Sequence, residues 1–89
     1  MIKQYEYVAK PVVRAVQWNN TMSAVEDIQS LIGKQHVRYD ADLLRIKAGP
    51  DGESGWVTVP LKNWVVYTAG DAWPCRNKHF TESYKELEA

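Results

Sequence analysis

The amino-acid sequence predicts an α+β domain: a small antiparallel sheet of about five or six strands, one main helix over about 23–32, and a short C-terminal helix over about 78–86. Three observations predict it. A valine-rich run begins at Val12, ends at Trp18 and follows Pro11; proline suits the first position of a strand and disfavours a helix interior. Residues 23–32 place Val25, Ile28, Leu31 and Ile32 at the spacing of one helical face. From His36 onward, short alternating runs are separated by clusters of Gly, Pro, Asp and Asn, the pattern of strands joined by turns. The 89 residues fall in the size range of one domain with one core, spanning 1–89.

The first strand covers 12–18. Alternation assigns Val12, Arg14, Val16 and Trp18 to one face and Val13, Ala15 and Gln17 to the other. Both faces are partly apolar, so a strand covered on both sides is expected. In the helix, Ser23 and Glu26 have capping-box spacing, Glu26 and Asp27 fall in the first turn, and Gly33 supplies the left-handed closing residue. Val37–Tyr39 and Leu43–Lys47 flank Asp40-Ala41-Asp42, read as a hairpin with a three-residue connection. Gly49 to Gly55 is the densest turn signal, and an exposed, mobile loop is expected there. Strands follow at 56–59 and 64–68, and Ala69-Gly70-Asp71 turns the chain into a strand over 72–75. Asn77 then caps a helix on which Phe80 and Tyr84 share a face.

Eleven Lys plus Arg balance eleven Asp plus Glu, so the chain lacks the basic excess of a general nucleic-acid binder. Its longest apolar runs are far shorter than the roughly 20 residues that span a bilayer. The first residues lack the layout of a secretory signal, and the single cysteine forms no internal disulfide. A cytoplasmic protein with no membrane partner is expected.

The chemistry-bearing residues point away from catalysis. Cys75 has Arg76 beside it and His79 four residues on, but one Cys and one His at that spacing do not define a nucleophile with a positioned base. A packed, inert cysteine is expected. His36, His79, Cys75 and Asp71 match no paired zinc-ligand spacing. Asp40 and Asp42 read as turn residues, and Gly49, Gly52 and Gly55 do not lie between a strand and a helix as a phosphate cradle requires. No catalytic residue, metal or cofactor is expected.

Four tryptophans and five tyrosines are many for this length. Part of that aromatic surface fills the core of a thin sheet; the rest suits recognition, since Trp, Tyr and Arg anchor interfaces. Trp73, Arg76, Lys78 and His79 form the densest local group of aromatic and cationic residues and are the predicted binding surface.

The chain also resembles a group of small phage and prophage proteins of unassigned function. The likeness rests on Lys10, Pro11, Val12, Val13, Ala15, Val16, Gln17 and Trp18 at one end. At the other it rests on Trp64, Val65, Val66, Gly70, Asp71, Pro74, Cys75, Arg76, Phe80 and Tyr84. Residues 20 to 60 match only in outline. Asn63 stands where that group tends to have aspartate, Trp73 where it has tyrosine, and Lys78 where an aspartate often caps the last helix. The resemblance implies a phage or prophage origin, with the cytoplasm of an infected bacterial host as the compartment, and it supplies no catalytic residue.

Two functions follow as expectations. The first is a non-enzymatic host-interaction or counter-defence protein that binds and blocks a bacterial protein. The alternative is a homo-oligomeric module that sequesters a small anionic ligand such as a signalling nucleotide. An enzyme using Cys75 ranks third, and a minor virion component stays open. A homodimer is expected because two short helices leave part of the sheet uncovered.

Overall fold

A computed structural model describes residues 2–7, 12–50 and 53–86. The chain runs β1 (Lys3–Tyr7), β2 (Val12–Gln17), α1 (Met22–Ile32), a 3₁₀ turn (Lys34–His36), β3 (Val37–Asp40) and β4 (Leu43–Pro50). It continues through β5 (Gly55–Val59), β6 (Trp64–Thr68), β7 (Asp71–Cys75), α2 (Asn77–Ser83) and β8 (Tyr84–Glu86). Among the described residues, eight strands form one antiparallel sheet in the order β3-β4-β7-β6-β2-β1-β8, with β5 paired to β4. Strands take 51% of the described residues and helices 27%, so the sheet sets the architecture. This mostly-sheet fold corrects the expectation of an α+β domain with about five or six strands, a main helix and a helix over 78–86.

The two additional strands have a shared cause. The β1 sequence Lys-Gln-Tyr-Glu-Tyr carries no apolar run, and Tyr84 reads as the next position on the Phe80 helical face. In the fold, β8 instead pairs β1, with Tyr5 opposite Glu86 and Tyr7 opposite Tyr84. Helix α2 stops when the Tyr84 N–H bonds the Phe80 carbonyl. Phe80 and Tyr84 still stack at 4.7 Å, so the contact that suggested one helix is made across a helix-to-strand junction.

The sheet divides the apolar interior into two layers. On one face α1 lays Ala24, Val25, Ile28, Leu31 and Ile32 against Val16, Trp18, Leu44, Ile46, Val59 and Val65. On the other, Phe80 of α2 packs with Tyr5, Val13, Ala15, Val66 and Cys75, bordered by Trp64, Trp73 and Tyr84. Strand β2 therefore feeds both layers, Val16 into one and Val13 and Ala15 into the other, as the alternation of its sequence requires. The interior is not one continuous cluster, as the sequence had suggested, because β2 and β6 run between its halves.

Local signals were met in part. The cap of α1 is Thr21, whose Oγ1 accepts from the Ala24 N–H at 3.1 Å. Ser23 thus lies inside the helix, and no acid occupies the first turn. Gly33 closes it at φ 96°. The β3–β4 connection has two residues, not three: Asp40 pairs Leu43, and Ala41 and Asp42 both have positive φ, 51° and 64°, the signature of a type I′ turn. Strand β4 extends through Gly49 and Pro50 to pair Ala72 and Asp71 of β7. Those two residues are sheet rather than the expected loop, while residues 51 and 52 lie outside the described set, as do Lys10, Pro11 and Glu88.

A polar joint ties the two ends of the sequence signature together. The Trp18 N–H donates to the Asn63 carbonyl at 2.8 Å, and the Lys62 N–H to the Trp18 carbonyl at 2.7 Å. The Gln17 amide donates to the Lys62 carbonyl at 2.9 Å. Asn77 is not the helix cap: its Oδ1 accepts from the Trp64 indole at 2.9 Å and from Gln17 at 3.4 Å. Asn63 takes the capping role, its Oδ1 accepting from the Asn77 N–H at 3.3 Å. Gln17, Trp18 and Trp64 are thereby explained as structure.

Candidate functional site

Three strands at one end of the sheet build a charged, partly aromatic surface. Their inward residues are Val37 and Tyr39 on β3, Leu44, Ile46 and Ala48 on β4, and Val57 and Val59 on β5. Period-two alternation sends Arg38, Leu43, Arg45, Lys47, Trp56 and Thr58 to the opposite, outer face. The register sets Arg38 opposite Arg45, Arg45 opposite Thr58, and Lys47 opposite Trp56. The Arg38 guanidinium lies 4.3 Å from the centre of the Trp56 ring, and the Lys47 ammonium 5.6 Å from it. Arg38 and Arg45 are exposed, Lys47 and Trp56 half-buried, and Leu43 is 47% exposed. Among the described residues, none of these three cations makes an ion pair; the salt bridge found there joins Lys3 to Glu86 at 3.3 Å.

The residues predicted as the binding surface are placed differently. Trp73 stands on β7 opposite Val66 and is half-buried at the margin of the α2 layer. Arg76 precedes α2, and Lys78 and His79 occupy its exposed first turn. His79 Nδ1 lies 3.5 Å from Ser83 Oγ. Among the described residues, no hydrogen bond, ion pair or ring–cation contact links Trp73 to Arg76, Lys78 or His79. Ring–cation contacts occur at Tyr67, from Arg14, and at Trp56, from Arg38 and Lys47. The signal for the second was present in the alternation of 37–39, 43–47 and 55–59; what was lacking was the register that sets those alternations side by side.

Cys75 is 6% exposed. Burial pushes its thiol above the ordinary 9.0, and Sγ donates to the Arg76 carbonyl at 3.7 Å. Such a thiol is held protonated, the opposite of an activated nucleophile. A cavity of about 60 Å³ lies between His36, Lys47, Tyr67 and Ala72, and His36 Nδ1 is occupied by the Ile32 carbonyl at 2.7 Å. A shallow cleft of about 190 Å³ opens beside Gln4, Arg14, Tyr67 and Thr68, with the Arg14 guanidinium 5.5 Å from the Tyr67 ring centre. Among the described residues, no group of three or more His, Cys, Asp or Glu is placed to hold a metal ion, and no helix is long and apolar enough to cross a membrane.

The helices cover both faces of the central strands from within one chain. Sheet surface left exposed includes the outer face of β3–β4–β5 and, on β2, Val12 and Arg14. Comparison with protein families, with characterised proteins and with solved structures finds no match to this chain.

Proposed function

We propose that this chain is a non-enzymatic binding protein that docks on a partner protein through the outer face of β3–β4–β5 and blocks it by covering its surface. The observation that carries the reading is the convergence of Arg38 and Lys47 on Trp56, with Arg45 beside them and, among the described residues, no ion pair to any of the three. Trp and Arg are the residues that dominate binding energy at protein interfaces, and Leu43 adds apolar area at the margin. The resemblance to small phage proteins makes a host bacterial protein the expected partner, and host interaction or counter-defence the expected role. The buried, protonated Cys75 supports a function without covalent chemistry.

Affinity capture from bacterial lysate tests the proposal, using wild type beside a folded Trp56→Ala/Arg45→Ala variant. A stoichiometric protein retained by wild type and lost by the variant is the expected result; equal retention refutes the docking face. The sequestering module remains the second reading, because the cleft at Gln4, Arg14 and Tyr67 pairs a cation with a ring. At about 190 Å³ it is smaller than the roughly 300–1,000 Å³ of ordinary ligand pockets, so a second copy would have to complete it. Thermal stabilisation by any member of a nucleotide panel, lost in Arg14→Ala, would favour it.

A further inference from the structure

Resting on the docking face proposed above, we infer that the partner's contact surface is acidic, presenting Asp or Glu carboxylates to Arg38, Arg45 and Lys47 around Trp56. Arg38 and Arg45 are direct partners on adjacent antiparallel strands, which brings their Cβ atoms to about 4.5–5.5 Å. Like charges directly opposite are unfavourable in a sheet, and here a third cation reaches the same indole ring. Among the described residues, no carboxylate lies within ion-pair distance of them. Asp40 shares the outer face of β3, yet it makes no ion pair with any of the three. Carboxylates arriving from outside would relieve the repulsion and find guanidinium N–H groups able to bind them in pairs.

Two features favour a protein over single-stranded nucleic acid. Nucleic-acid platforms use successive aromatic rings on which bases stack, whereas this face carries one tryptophan, and Arg38 sits over it. The face also includes exposed Leu43, and the chain as a whole has no net charge. A protein that blocks by imitating nucleic acid offers acids to a basic groove; this chain offers bases, so the surface it covers carries the opposite charge.

Fluorescence anisotropy with labelled poly-L-glutamate and labelled oligothymidylate tests this, at low and high salt, with circular dichroism confirming that each variant folds. Wild type is expected to bind polyglutamate, with affinity falling as salt screens the charges. Arg38→Ala/Arg45→Ala should weaken that binding roughly tenfold or more, as for charge-pair losses at interfaces, while Arg14→Ala/Arg76→Ala should leave it unchanged. No binding of polyglutamate, or an equal loss in both double variants, overturns the inference. Tighter binding of oligothymidylate, lost in Arg38→Ala/Arg45→Ala, overturns it in favour of single-stranded nucleic acid. Lysate capture separates the two claims: a host protein lost by Trp56→Ala with no polyglutamate binding keeps the face and rejects the acidic chemistry. Capture unchanged in Trp56→Ala rejects the face itself.

Discussion

Phe80→Ala is the substitution that probes the second layer most sharply. Phe80 is 2% exposed and lies between two rings, stacked on Trp64 at 4.0 Å and 11° and on Tyr84 at 4.7 Å and 14°. A third ring, Tyr5, meets it edge-on at 4.8 Å. Removing a buried phenyl costs about 3–5 kcal/mol through lost transfer energy and the cavity left behind, of which each aromatic pair contributes roughly 0.5–1.5. Against a total stability of roughly 5–15 kcal/mol, that is a large fraction. In a chain of this size it corresponds to a fall in Tm on the order of 15–30 °C. Urea unfolding, followed by tryptophan fluorescence and far-UV circular dichroism, reads the loss. Amide exchange should also accelerate in β8, because Tyr84 loses the ring that holds it over the sheet. A loss below about 1 kcal/mol, the range of ordinary surface substitutions and small trims, would refute the account of Phe80 as the anchor of α2 and β8.

Further outcomes follow from the turns, caps and titrating groups. Asn63→Asp should stabilise the protein by about 0.3–1 kcal/mol at neutral pH, since it places a charge at the N-terminus of α2; urea titrations should show the gain vanish in acid as the carboxylate protonates. Ala41→Asn should raise stability by about 0.5–1 kcal/mol, because Ala41 sits at φ 51°, a region that asparagine tolerates better; an unchanged urea midpoint would contradict that turn geometry. Burial, and secondarily the charge of Glu86, push the Tyr5 hydroxyl above its ordinary 10.0, and burial pushes Cys75 above 9.0. The unfolded chain therefore loses these protons first. Stability should be full below about pH 8 and fall as pH rises through about 9 and 10, with Tyr5→Phe removing part of the slope; a flat midpoint would contradict it. The Cys75 thiol should react with a disulfide reagent roughly tenfold or more slowly in the native protein than in urea, as its burial and raised pKa require, and Cys75→Ser should keep partner capture intact.

Much of the fold was legible where apolar spacing is dense. Val25, Ile28, Leu31 and Ile32 are all buried under α1, and the six strands read from 12 to 75 are present in the sheet. What escaped was pairing between distant segments. Lys3–Tyr7 has a strand's backbone without a strand's apolar pattern, because among its described side chains Tyr5 is the buried one and β2 and β8 supply its hydrogen-bond partners. Caps were misassigned for a related reason: the residue that caps α2 is Asn63, brought from the turn before β6. Ser23 has capping chemistry, yet Thr21 stands where the chain enters the helix. The charged face was legible strand by strand and not as a surface. Arg38, Arg45 and Trp56 are each an ordinary outward residue until the register of β3, β4 and β5 aligns them.

Arginine footprinting of the complex with a captured partner tests the central claim most directly. All four arginines, Arg14, Arg38, Arg45 and Arg76, are exposed in the free chain, so each should react with phenylglyoxal and be read by mass spectrometry. The account predicts that the partner protects Arg38 and Arg45 and leaves Arg14 and Arg76 reactive. Protection of Arg76 with Arg38 and Arg45 still reactive would contradict it and move the docking surface to the start of α2.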